Sequence, residues 1–577
     1  MRTGEKKKPL DPDVARGLYR AAVASALVAG AFVLVGAALL LANWFHNREA
    51  TPLDNPDLAA RKAALAEDPK NQALKAEIRA LDHRLRVEHF RRQDQQKRGG
   101  WMLLAGGSAL AVALKSAAAL RKKLPHPSAE APAPDAEARL AALARGSVGL
   151  VAALLAAGAG ILALRGGPVP VAPPAEDETW PSDAEVRRNW PSFRGPGGLG
   201  VATAKDVPDA WDGKTGRGIL WKTAVPLPGF NSPVVWGNRV FLTGADRKRR
   251  EVYAFDGDSG ALLWTAAIEG VPGSPTLAPK VGDETGYACP TAVTDGRRVY
   301  AIFANGDVAA VDYEGRRVWD RNLGVPQSTY GYASSLAIWR NRVLVLWDQT
   351  PLEEGKSKLI ALSTLTGRTV WETRRPVRDS WASPVVAAVA GREQVVAVGD
   401  PWLIAYDPAD GRERWRAKVA GGDVAPSPTA AADLVFAVQP YAKLVAVRAD
   451  GAGDVTKTHV AWKAEDNVPD ICSPLAAGDW VMTLTTQGML TCFGAADGKK
   501  RWAHDFEEDF YVSPTLAGDR VCLVAAKGTT IFLAAGAAEF KELGRANLGE
   551  PVHASPAVLD GRIYMRGHKH LYAIGKR

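Results

Sequence analysis

The stretch Val252-Tyr253-Ala254-Phe255-Asp256-Gly257-Asp258-Ser259-Gly260-Ala261-Leu262-Leu263-Trp264 decides the fold. It reads as an apolar strand, a tight turn that opens on Asp and closes on Gly, and a second strand ending in Trp. The Gly supplies a positive φ at the turn. The Asp carboxylate accepts hydrogen bonds from turn amides. The Trp, at the outer edge of its unit, fills the gap to a neighbouring unit. The pattern returns as Ala310-Val311-Asp312, Gly315, Trp319; as Leu362-Ser363, Gly367, Trp371; as Ala405-Tyr406-Asp407, Gly411, Trp415; and as Phe493, Gly498, Trp502. A looser copy ends at Trp462, and another has no Trp, only Phe540.

Working outward, each copy opens with Ser-Pro or a variant: Ser232-Pro233, Cys289-Pro290, Ser334-Ser335, Ser383-Pro384, Ser427-Pro428, Ser473-Pro474, Ser513-Pro514 and Ser555-Pro556. Between opener and quoted motif lie two more short apolar runs joined by turns such as Asp295-Gly296-Arg297-Arg298. Four strands in a repeat of roughly 40–50 residues predict propeller blades. Eight openers predict an all-β, eight-bladed propeller of four-stranded antiparallel blades over 190–577. The last copy ends at Leu571-Tyr572-Ala573-Ile574 with no fourth strand, whereas Gly218-Ile219-Leu220-Trp221-Lys222 is a fourth strand with no blade. Pairing the two closes the ring and removes its open edges. The tryptophans expected between blades are Trp221, Trp264, Trp319, Trp371, Trp415, Trp462 and Trp502.

The first third differs. Residues 1–187 carry 26 basic and 20 acidic side chains, the remaining 390 residues 46 and 43. The repeat region is nearly neutral and shows no basic stripe, which excludes nucleic acid as a partner. Residues 1–17 form a basic tail. Residues 18–45, 101–120 and 147–164 are three apolar runs read as transmembrane helices. Lys6, Lys7, Lys8 and Arg16 before the first favour a cytoplasmic N-terminus. Lys115 lies near enough to the end of the second run to snorkel. Residues 46–100 are a polar helical spacer whose Leu74, Ile78, Leu81 and Leu85 make one apolar stripe. Residues 121–146 and 165–189 are linkers rich in Pro with Ala or acidic residues. Three spans place the propeller outside the inner (cytoplasmic) membrane, facing the periplasm or cell exterior.

No H-E-x-x-H, P-loop or G-x-S-x-G motif is present, and Cys289, Cys472, Cys492 and Cys522 have no C-x-x-C spacing. They read as buried free thiols, with a bridge between neighbouring strands as the alternative. His568 and His570 read as surface histidines, and Asp256–Gly260 as a structural turn rather than a calcium loop. One constellation stands out. Two residues before the openers come Phe230, Tyr287, Tyr332, Trp381, Ala425, Ile471, Tyr511 and His553; four before come Asp379, Asp423 and Asp509. First strands line the channel of a propeller, so these positions ring one mouth. They predict an aromatic and acidic funnel for a peptide segment or a planar small molecule. The competing reading is that the rings pack loops.

The Ala-x-Asp-x-x-x-Gly-x-x-x-Trp repeat and the lead-in Asn189-Trp190-Pro191-Ser192-Phe193-Arg194-Gly195-Pro196 resemble the PQQ-like propellers, which include quinoprotein alcohol dehydrogenases and BamB-like envelope proteins. The resemblance covers 190–577. It implies either a pyrroloquinoline quinone (PQQ)-dependent oxidoreductase or a non-catalytic scaffold for outer-membrane protein assembly. The chain lacks the vicinal cysteines of the dehydrogenases, and no calcium site with an acidic base can be placed. It also lacks a lipidated cysteine and has its own apolar helices instead. The reading is a membrane-anchored, non-catalytic scaffold with no catalytic residue, metal or cofactor, whose partners are envelope proteins or peptide segments. A PQQ-dependent or related oxidoreductase is the alternative, and a ligand-binding sensor the second.

Overall fold

Short strands of 190–577, buried on both faces except for the outermost of each set, where exposed side chains alternate with more buried ones, build eight sheets. The computed structural model describes residues 180–576 except 537, together with scattered positions between 19 and 37 and between 103 and 119. Two compact units are present, 1–171 and 172–577. In the first, every described residue is helical. Among the described residues no helix is long and apolar enough to cross a membrane. The expected span 147–164, the spacer 46–100 and the linker 121–146 lie outside the described residues.

Blade 1 shows the plan: Val234–Trp236 innermost, then Arg239–Ala245, Arg250–Asp256 and Leu262–Ala267, all antiparallel. Blades 2 to 7 repeat it, and each of the eight sheets contains four blade strands. Two blades gain a fifth, parallel strand: Gly453–Asp454 on Glu413–Lys418 of blade 4, and Val201–Ala202 on Thr515–Ala517 of blade 7. Closure is as the sequence predicts. Ile219–Ala224 pairs antiparallel with His570–Gly575, Trp221 opposite Ala573.

The repeat residues acquire physical roles. The Trp stands opposite the motif Ala on the third strand: Ala254 with Trp264, Ala310 with Trp319, Ala405 with Trp415. A small partner leaves the ring room to swing onto the next blade. There its indole N–H donates to the carbonyl after the motif Asp position: Trp221 to Gly257 and Trp264 to Tyr313 at 2.9 Å, Trp462 to Ala495 at 2.8 Å. Trp415, expected between blades, departs from this: it is fully buried with its N–H on Gln394 Oε1 of its own blade, and Val455 rather than a ring lies against Gly451 of blade 5. The ring lies where the motif Gly has no Cβ. An added Cβ would come within 2.4 Å of Trp221 at Gly260 and 2.3 Å of Trp371 at Gly411. The motif Gly is therefore required twice, for its φ of 72° at Gly260 and for the ring against it.

Blade 7 exchanges the sizes: Phe532 takes the Ala position and Gly544 the Trp position. Phe540 is thus not the counterpart of the tryptophan; it packs on Trp502 and His504 instead. Trp211, from the segment before the closing strand, meets Phe532 edge-on at 5.6 Å within the core cluster shared by blades 7, 8 and 1.

Opener hydroxyls link the blades in series. Each accepts from the opener amide of the preceding blade: Ser232 N–H to Thr291, Thr291 to Ser335, Ser335 to Ser383, Ser383 to Ser427, Ser427 to Ser473 and Ser473 to Ser513, at 2.8–3.0 Å. This chain corrects two registers. The opener of blade 2 is Thr291, not Cys289, and that of blade 3 is Ser335, not Ser334.

Candidate functional site

First strands leave one mouth of the channel, so the loops that feed them (the inlet loops) and the connections between second and third strands share that face. The opposite mouth is crossed by the lead-in. Trp190 pairs with Val235 of blade 1, the Pro191 carbonyl accepts from Thr294 of blade 2, and Gly197 lies against the Val386 carbonyl of blade 4. The buried Arg194 donates to the Pro474 carbonyl of blade 6 at 2.8 Å, Val201–Ala202 pairs with blade 7, and the Asp206 carbonyl accepts from Gly561 of blade 8. The sequence did not announce this role, because nothing in the lead-in shows strand or helix periodicity.

At the inlet mouth the predicted ring resolves into separate groups. Phe230, Tyr511 and His553 come together. Phe230 stacks on His553 at 5.7 Å, and Tyr511 lies 4.7 Å from His553. His568, read as a surface residue and indeed exposed, completes this group edge-on at 4.6 Å from His553. Beneath it the buried Arg566 donates to Asn231 Oδ1 at 2.8 Å and to the Thr243 and Leu227 carbonyls, fixing the loop that carries Phe230.

The second group is Trp381, Tyr330 and Asp423. The rings of Tyr330 and Trp381 are 5.0 Å apart at 48°. Trp381 Nε1 donates to the Gly331 carbonyl at 3.0 Å, and the Tyr330 hydroxyl donates to Asp423 Oδ2 at 3.2 Å. Asp423 holds the Tyr330 hydroxyl above the usual phenol range. Asp379 is buried and accepts from the Thr329 amide and hydroxyl, both at 2.8 Å, so it shapes the loop. Under this loop Arg375 forms a fully buried ion pair with Asp348 at 2.7 Å; Ser380 donates to the same carboxylate, and Arg375 to the Tyr406 hydroxyl.

Tyr332 and Tyr287 are elsewhere. Tyr332 is buried against Trp347 at 4.9 Å, its hydroxyl on the Leu346 carbonyl, and Tyr287, half-buried, packs against the core between blades 1 and 2. The register explains both: the true counterparts of Phe230 are Cys289 and Ala333. Asp509 is exposed on the blade 7 loop. Tyr330 lies four residues before Ser334, at a position that was compared, but only carboxylates were singled out there; the run Ser328-Thr329-Tyr330-Gly331-Tyr332 was the available signal.

All four cysteines are free, and burial pushes the Cys522 thiol up to about 12. Asp256 accepts from the Asp258 and Ser259 amides, as its turn requires. Burial, and then the charge of His568, hold His553 below its ordinary value of 6.5. Below that pH the unfolded side chain takes up a proton before the folded one, so stability falls with pH from about 6.5 downward. The urea midpoint should therefore drop between pH 7 and pH 5, with a smaller drop in His553→Gln; an equal drop in the variant contradicts the assignment.

The model of one protein family, outer membrane protein assembly factor BamB, matches residues 171–352, 355–470 and 456–539. No curated protein matches the chain. Among solved structures, BamB from Moraxella catarrhalis aligns with 17% identity and a TM-score of 0.46 over 62% of this chain and 99% of that one. Quinohemoprotein alcohol dehydrogenase from Comamonas testosteroni aligns with 14% identity and a TM-score of 0.51 over 68% and 82%. A europium-containing methanol dehydrogenase aligns with 10% identity and a TM-score of 0.51 over 68% and 99%. At these identities the two dehydrogenases show a shared fold alone, while the family model covers more than half of the residues; the chain belongs to the PQQ_2 family of BamB-like β-propellers.

Proposed function

We propose that this protein is a membrane-tethered, extracytoplasmic propeller that serves as a non-catalytic scaffold for envelope protein assembly. Residues 18–45, 101–120 and 147–164 hold it in the inner membrane, and its inlet mouth receives segments of envelope proteins. The observation that carries the reading is the family match, whose description names an assembly factor. The exposed Tyr330 and Asp423 beside the half-buried Trp381 support it, since such groups make contact area at low entropic cost.

PQQ-dependent oxidation is the second reading, favoured by the fold shared with the alcohol dehydrogenase. The residues present do not fit a PQQ–calcium centre. Among the described residues no three His, Cys, Asp or Glu side chains gather where they could hold a metal ion. The cysteines are dispersed over blades 2, 6 and 7 with no vicinal pair.

An alkaline phosphatase reporter fused after Arg165 tests the topology. Activity in intact cells is expected; an inactive fusion, with a cytoplasmic reporter active at the same point, contradicts it. Protein supplied with PQQ and calcium should not reduce a dye with alcohol substrates, and turnover would favour the second reading.

A further inference from the structure

The inlet face is electrically lopsided. Over blades 2 to 6, the inlet loops and the connections between second and third strands carry twelve carboxylates against four basic side chains. Over blades 7, 8 and 1 the same segments carry five of each. Three of the four basic groups in the acidic sector are taken up by neighbours: Arg375 is buried on Asp348, Lys356 pairs with Glu354, and Arg378 with Asp400.

A second observation falls on the same sector. The large exposed apolar side chains of this face are Leu277, Val325, Tyr330, Leu352 and Tyr441, with Leu277 and Tyr441 at 82% and 79% exposure. All lie on loops of blades 2 to 5, and none on the balanced sector. Two of the rings are tied to carboxylates: Tyr330 donates to Asp423, and Tyr441 donates to Asp470 at 3.0 Å. An aromatic face beside a carboxylate suits a cationic side chain, which gains both the charge and the ring quadrupole.

Resting on the scaffold reading above, we infer that the inlet face of blades 2 to 6 docks a polypeptide segment bearing both basic and apolar side chains. Its basic groups meet the carboxylates and the Tyr330–Trp381 pair; its apolar groups cover Leu277, Val325 and Leu352. The carboxylate excess steers such a segment in and repels nucleic acid and anionic lipid headgroups, the more so at low ionic strength.

The test uses the full chain and three labelled twelve-residue peptides: alternating Lys and Leu, alternating Glu and Leu, and alternating Lys and Ser. Fluorescence anisotropy should show the Lys/Leu peptide binding at least ten-fold more tightly than either of the others, and more weakly as salt is raised. Tyr330→Ser and Asp423→Asn, both at exposed positions, should each weaken it about ten-fold, whereas Asp509→Asn in blade 7 should change it less than two-fold. No preference for Lys/Leu over Glu/Leu, or equal binding by the Tyr330 and Asp423 variants with unchanged melting curves, overturns the inference. The scaffold reading fails separately. A photo-crosslink from position 330 to an acidic or purely polar segment of an envelope protein keeps that reading and overturns this one, whereas no crosslink from any inlet position overturns both.

Discussion

Replacing Trp221 by alanine should lower the unfolding free energy by about 3–5 kcal/mol, the cost of truncating a buried ring in a core. Trp221 acts twice. Its strand closes the ring against His570–Gly575, and its indole lies against Gly260 of blade 1 with Nε1 on the Gly257 carbonyl. Loss of the ring frees the closing strand from blade 1 and so weakens the non-covalent joint of the ring, which lies within blade 8 between Ile219–Ala224 and His570–Gly575. Gly260→Ala attacks the same contact from the other side. Its new Cβ lands 2.4 Å from the Trp221 ring at a backbone φ of 72°, so it should also destabilise, by more than 1 kcal/mol. Lys214→Ala, on the exposed turn just before the closing strand, should stay within about 0.5 kcal/mol. Urea unfolding followed by tryptophan fluorescence measures all three. A Trp221→Ala protein with the parent midpoint contradicts the closure.

The second large effect is expected at Asp348. Its carboxylate and the Arg375 guanidinium are both fully buried, 2.7 Å apart. Asp348→Ala strands a cation in the interior, at a cost of about 3–5 kcal/mol. Removing both charges with Asp348→Ala/Arg375→Met should recover most of the loss, since the unpaired charge rather than the missing pair is the penalty. The same carboxylate accepts from Ser380, next to Asp379 and Trp381. Loosening it should free the loop 375–384 and speed trypsin cleavage at the exposed Arg378. A double variant no more stable than the single would contradict the charge argument.

The fold was legible because its grammar is local. The Asp turn, the Gly at positive φ and the Trp at the strand end are all within a dozen residues, and the closing strand betrayed itself by having a Trp without a blade. The role of the motif Ala was not legible, since it depends on the cross-strand pairing of Ala254 with Trp264. Nor was the exchange in blade 7, where Phe532 and Gly544 trade sizes and Trp211 arrives from over three hundred residues away. The mouth was half legible. Phe230, Trp381, Tyr511 and His553 stand where the spacing put them, because Ser232, Ser383 and Ser513 belong to the series and Ser555 keeps the same offset from its strand Ala557–Leu559. Tyr332 went into the core and Tyr287 against it because Cys289-Pro290 and Ser334 imitate an opener one or two residues early. Spacing fixes a side chain's direction only when the register is known, and the register is set by hydrogen bonds between blades.

Site-specific photo-crosslinking in intact cells tests the central claim most directly. A photoreactive residue is placed in turn at Tyr330 and His553 on the inlet mouth, and at Asn238 and Asp519 on the mouth crossed by the lead-in. The account predicts crosslinks to envelope proteins from the inlet positions and none from the other two. Crosslinks confined to Asn238 and Asp519, or none from the inlet positions, would contradict it.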